Sequence, residues 1–184
     1  MLNRRVALIA GAIVAALAVY NGILTIPVAL ARQHESGITM VAYRRWLIDP
    51  TTAVVDLWRV DRNASMADVD RNLFEVAEAL KAQSFTNVEL AYKGTGRFLL
   101  DGTQFKTIGE ERSFQNPVYT IRTLPQHITK LDGTPAFGTY EGGFLGVLSA
   151  QMSDHSQLHW SWYLASMSGA DPSSTMPKSG GAGF

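Results

Sequence analysis

The sequence predicts an α+β fold: an N-terminal transmembrane helix followed by one domain, in which an antiparallel sheet of about five strands is covered by two main helices. Three observations lead there. The stretch from Val6 to Ala31 contains no charged residue. Beyond it, runs rich in β-branched and aromatic residues come in pairs separated by turn residues. Two longer segments, Ser65–Lys81 and Gly143–Ala165, carry apolar residues at spacings of three and four.

The apolar opening, VALIAGAIVAALAVYNGILTIPVALA, has Asn21 as its clearly polar member, with Tyr20 and Thr25 as weak hydroxyl carriers. As a helix it is about 39 Å long, more than a hydrocarbon core of about 30 Å requires. It is apolar on every face, unlike a helix that covers a soluble domain. Arg4 and Arg5 precede it and no acid appears until Glu35. Positive charge resists translocation, so residues 1–5 form a cytoplasmic n-region, 6–31 a signal anchor, and the rest lies outside the cytoplasm. A competing reading is a signal peptide cut after Ala29-Leu30-Ala31, with Pro27 just upstream, releasing a secreted domain. A signal-peptide core usually has about 7–15 apolar residues, so the length of this run favours retention. There is no cysteine, which excludes both a lipidated cysteine and disulfides.

All 16 acidic residues and all but two of the 16 basic residues lie beyond Ala31, so the chain after that residue is slightly acidic. Such a balance offers neither a nucleic-acid footprint nor a polybasic patch for anionic lipid. Stability without disulfides must come from packing, and Trp46, Trp58, Trp160 and Trp162 supply large apolar areas.

In chain order, 32–37 reads as a polar connector and 38–165 as the folded domain. Ile38–Ile48 and Thr52–Val60 form a hairpin about Asp49-Pro50. Ser65 caps a helix through Lys81, with Asp68 three residues on and Met66, Val69, Leu73, Val76, Ala77 and Leu80 inward. Its acids, Asp68 and Asp70, read as solvated helix surface. Asn87–Tyr92 and Arg97–Asp101 pair across Gly94-Thr95-Gly96. This turn lacks the third glycine and the following helix of a phosphate loop. Thr103–Phe114 reads as a short helix, Val118–Leu124 as a strand stopped by Pro125, and 125–142 as a long connection turning at Asp132-Gly133. The second long helix follows, and 166–184 has the glycine, serine and proline content of a disordered tail.

No assembled catalytic motif is present. Ser153, Asp154, His155 and Ser156 contain hydrolase residue types, but helix neighbours point about 100° apart and cannot relay a proton. Two constellations remain. His155 and His159 stand one helical turn apart on the side that also carries Phe144, Leu148, Met152, Leu158 and Trp162, a spacing that lets two imidazoles reach one ion. A zinc or copper site there needs further ligands, such as His127, Glu141 or Asp154. The bland alternative is two neutral rings packed in the core. The second constellation is the long connection, where His127, Phe137 and Tyr140 are candidate ligand-binding residues amid several glycines.

The functional expectation is a single-pass, membrane-anchored extracytoplasmic domain, periplasmic or at the cell surface. It would act as a binding or accessory component for an envelope protein or a small ligand, without a required cofactor. The alternative is a metal- or ligand-dependent activity built on a divalent metal at His155 and His159.

Overall fold

The computed structural model describes residues 4–31 and 37–177. The first three residues, most of the connector (32–36) and the end of the tail (178–184) lie outside the described residues.

Helix α1 spans Arg4–Ala31, and no other helix among the described residues is long and apolar enough to cross a membrane. Its two ends differ in surroundings. Up to Val19 most of its large side chains, such as Leu8, Ile13 and Val14, are exposed, and Leu17 is half-buried. From Asn21 onward one side is built into the domain: Leu24 and Val28 are fully enclosed in the main core. The polar residues of the apolar stretch make this junction. Asn21 Nδ2 donates to Leu47 O (2.9 Å), the Arg44 amide donates to Asn21 Oδ1 (2.8 Å), and Thr25 Oγ1 donates to Ala42 O (2.7 Å). In an apolar helix such groups need partners, and a sheet edge supplies them.

Strands β1 (Ile38–Arg44), β2 (Thr52–Val60), β3 (Asn87–Tyr92), β4 (Thr95–Asp101) and β5 (Ile128–Thr129) form one sheet in that spatial order. β1–β2, β3–β4 and β4–β5 are antiparallel, but β2 and β3 run parallel, joined by helix α2 (Met66–Leu80). The sheet is therefore mixed. The helix crosses the sheet and carries the chain from the end of β2 back to the end at which β2 began, so β3 runs parallel to it.

Helix α2 begins as its sequence requires. Ser65 accepts from the Asp68 amide, and Asp68 Oδ2 accepts from the Ser65 amide, a reciprocal capping box. The turn between β3 and β4 centres on Lys93 and Gly94, both with positive φ. The Gly94 amide donates to Asp56 on β2, and Tyr43 donates its hydroxyl to the same carboxylate. That buried acid therefore ties β1 and β2 to the β3–β4 turn.

Helix α3 (Gly102–Glu111) lies against α2, where Gly109 passes so close to the Ala77 carbonyl that a Cβ would collide with it. Residues 117–123 form helix α4, not the strand their β-branched content suggests. Pro117 occupies the first turn, where its missing amide costs nothing, and Asn116 caps it by accepting from the Val118 amide. The strand that does follow is β5, only two residues long, whose hairpin continues through Thr129 and Pro135.

Helix α5 (Phe144–His159) continues through a π-helical turn at Trp160–Leu164 into α6 (Ala165–Ser168), ended by Gly169 at positive φ. Its C-terminal half is core: Leu158, Trp162 and Tyr163 are enclosed, whereas Phe144 and Met152, assigned by spacing to the same stripe, are exposed. Residues 166–177, which composition assigns to the tail, are held. Gln157 Oε1 accepts from the Met176 amide, and Trp160 Nε1 donates to Ser174 Oγ.

One core lies between the sheet and the helices. It joins Met40 and Ala42 of β1, Val55 and Leu57 of β2, Val88 and Leu90 of β3 and Leu100 of β4 to Leu24, Leu73, Phe105 and Trp162.

Candidate metal centre

The two histidines of α5 meet a third residue from α2. His155 Nε2 lies 2.7 Å from Asp70 Oδ2, His159 Nε2 lies 3.0 Å from Asp70 Oδ1, and the two Nε2 atoms are 3.1 Å apart. Asp70 and His159 are wholly buried and His155 nearly so. Charge alone assigns Asp70 to solvated surface; its position overturns that. Asp70 is one turn from Met66 and three residues before Leu73, so it sits on the core stripe of α2. An acid there is buried by the same geometry that buries the leucine.

Burial raises the Asp70 carboxyl, but the His159 and His155 imidazoles together outweigh it and hold the group below the usual carboxylate range. Behind the pair, Tyr163 Oη is 3.3 Å from His159 Nδ1. Burial, aided by the Asp70 charge, pushes the Tyr163 hydroxyl up, so it stays protonated. Trp162 closes the floor, its indole N–H donating to Ala91 O at 2.9 Å. His155 Nδ1 is buried without a hydrogen-bond partner among the described residues.

The donor set suits a divalent ion. Tetrahedral zinc with bonds of about 2.0–2.1 Å places its ligand atoms about 3.3 Å apart, and the separations here are a few tenths of an ångström shorter. Two imidazoles and one carboxylate are ordinary zinc ligands. Without an ion, the tautomers in which both Nε2 atoms donate to Asp70 set two like hydrogens side by side across 3.1 Å. A cation replaces both hydrogens with one centre that every donor faces. His159 carries an outer buttress in Tyr163, and His155 carries none.

The other candidates do not join this cluster. Tyr140 donates its hydroxyl to Asp154 Oδ2 at 2.7 Å, so both are engaged with each other. His127 is half-buried on the turn before β5, where burial lowers its imidazole against the opposing pull of Asp101. Phe137 packs on Phe98 at 5.9 Å between centroids. It helps line an open cleft of about 500 Å³ with Arg97, Lys130, Gln157 and Ser161, to which neither His127 nor Tyr140 contributes. Of the three residues expected to form one ligand site on the long connection, Phe137 lines this cleft.

Comparison with known protein families, with characterised proteins and with solved structures finds no match for this chain. What it does is therefore read from its own residues. By fold it is an α+β domain carrying one helix of membrane-spanning length and composition.

Proposed function

We propose that this chain is a single-pass, membrane-anchored domain that works outside the cytoplasm as a non-catalytic binding or accessory component. The observation that carries this reading is the dual character of α1. Its N-terminal stretch is apolar and exposed, as lipid requires, and its C-terminal end is core of the domain. Cleavage after Ala31 would remove Leu24 and Val28 from that core and leave the Arg44 amide without Asn21. The signal-peptide alternative therefore carries a folding cost that the anchor does not. Arg4 and Arg5 set the orientation by the positive-inside rule. A reporter fused after Phe184 should be active outside the cytoplasm, and activity confined to the cytosol would refute the orientation.

The convergence of Asp70, His155 and His159 favours a second property within the same reading, a divalent-metal site that staples α2 to α5. Its near-complete burial leaves no approach for a substrate, although its three donors leave one tetrahedral position unfilled by this cluster. Metal analysis of the purified full-length protein tests it. About one zinc per chain in wild type, lost in His159→Ala, is the expected result. Metal-free wild type that gains no thermal stability from added zinc would end the metal proposal and leave the anchor untouched.

A further inference from the structure

We infer that the β1–β2 turn, Trp46-Leu47-Ile48, is a second membrane contact that enters the same leaflet from which α1 emerges. This rests on the anchored reading of α1 and goes beyond it.

The first observation is exposure. Trp46 is 74% exposed, Leu47 46% and Ile48 61%, three large apolar residues in succession at a tip. The second is strain. Trp46 and Leu47 have φ of 50° and 65°, a left-handed conformation that bulky residues rarely adopt. A turn of glycine or asparagine would hold it more easily, so this sequence keeps its apolar side chains despite the backbone.

The third is position. Leu47 O accepts from Asn21 Nδ2, so the tip stands beside the point where α1 enters the domain. Arg44 fixes this arrangement, its guanidinium 4.4 Å from the Tyr20 ring centroid and donating to Pro50 O. On the tip's other side Arg45 lies over the Trp46 ring at 4.7 Å and pairs with Glu89 at 3.1 Å. An aromatic ring backed by guanidinium groups is the chemistry of a membrane–water interface.

Length decides between water and lipid. From Val6 to Tyr20, before the domain closes on it, α1 rises about 22 Å, roughly 8 Å short of a hydrocarbon core of about 30 Å. Spanning that thickness takes the helix on to about Thr25, level with and beyond the tip at Asn21. Whatever flanks α1 there must be tolerable to lipid, and the flank on the domain side is this turn. The occupant is therefore the bilayer that α1 spans.

The test uses the full chain reconstituted into phosphatidylcholine vesicles, with and without bromine on shallow acyl carbons, reading tryptophan fluorescence. Brominated lipid should quench the wild type, and Trp46→Phe, at an exposed position that folding tolerates, should remove most of that quenching. Trp58, exposed on an open apolar surface shared with Leu47, is read separately with Trp58→Phe. Quenching that persists undiminished in Trp46→Phe, or its absence in wild type that floats with the vesicles, overturns this inference and leaves the anchor standing. A chain that does not float with the vesicles overturns both.

Discussion

Replacing Asp70 with asparagine keeps the shape of the α2 side chain and removes the negative charge that faces His155 and His159. All three groups are out of water, and Asp70 reaches both rings, at 2.7 and 3.0 Å. Breaking a buried ionic cluster by removing one partner typically costs about 3–5 kcal/mol. In a chain of this size each kcal/mol moves the melting temperature by about 2–4 °C, so Asp70→Asn should melt about 6–20 °C lower in chelator. Zinc at about a hundred times its dissociation constant should add about 2.7 kcal/mol to wild type, a gain of roughly 5–11 °C. The variant, which lacks the anionic ligand, should gain little. Thermal unfolding of the full-length protein in detergent, with chelator and with zinc, reads both effects. The pH dependence follows in sign. A carboxyl held below its ordinary value contributes stability that is present above about pH 3.9 and lost as pH falls through the lowered folded value. Wild type should therefore lose its advantage over Asp70→Asn in acid. An Asp70→Asn protein as stable as wild type in chelator at about pH 7 would refute the reasoning about the cluster, and a wild type indifferent to zinc would refute the metal.

Other perturbations probe the frame. Asn21→Ala strips the Arg44 amide of its acceptor and should cost about 1–3 kcal/mol, seen as faster proteolysis of the β1–β2 hairpin in detergent. Gly109→Ala drives a methyl group into the Ala77 carbonyl and should destabilise the α2–α3 contact by about 1–3 kcal/mol in denaturant titration. Ser65→Ala removes the helix cap and should cost about 1 kcal/mol by the same measurement. His127, whose imidazole burial lowers, should contribute stability that is present above about pH 6.5 and lost as pH falls through its folded value. His127→Gln should flatten that decline in a pH series of melting curves.

Much of the frame is legible in the residues alone. The Ser65 cap with Asp68, the stripe from Val69 to Leu80 and the alternation of Val88, Leu90 and Tyr92 each state one element and its buried face. What misleads is competition between local signals. Val118–Leu124 is β-branched enough for a strand, but Asn116-Pro117 starts a helix, and a start signal outweighs propensity over seven residues. The parallel β2–β3 pair is implicit in the strand–helix–strand order, a topological fact rather than a residue pattern. Two members of the candidate centre, His155 and His159, follow from helical spacing. Asp70 does not, because reading it as a charged residue puts it in solvent while its place on the stripe puts it inside. The positional signal is the better guide, and an acid on a core stripe is itself a reason to search for partners. The hold on residues 171–177 is invisible to composition, since it rests on single bonds from Gln157 and Trp160 made across the turn.

The central claim is that one helix serves both lipid and domain core, so the chain keeps it. Intact-mass measurement of the protein recovered from cell fractions after an alkaline carbonate wash tests this most directly. The account predicts a species that still contains α1, found in the washed membrane pellet. A stable, folded species beginning at Arg32 and recovered in the soluble fraction would contradict it.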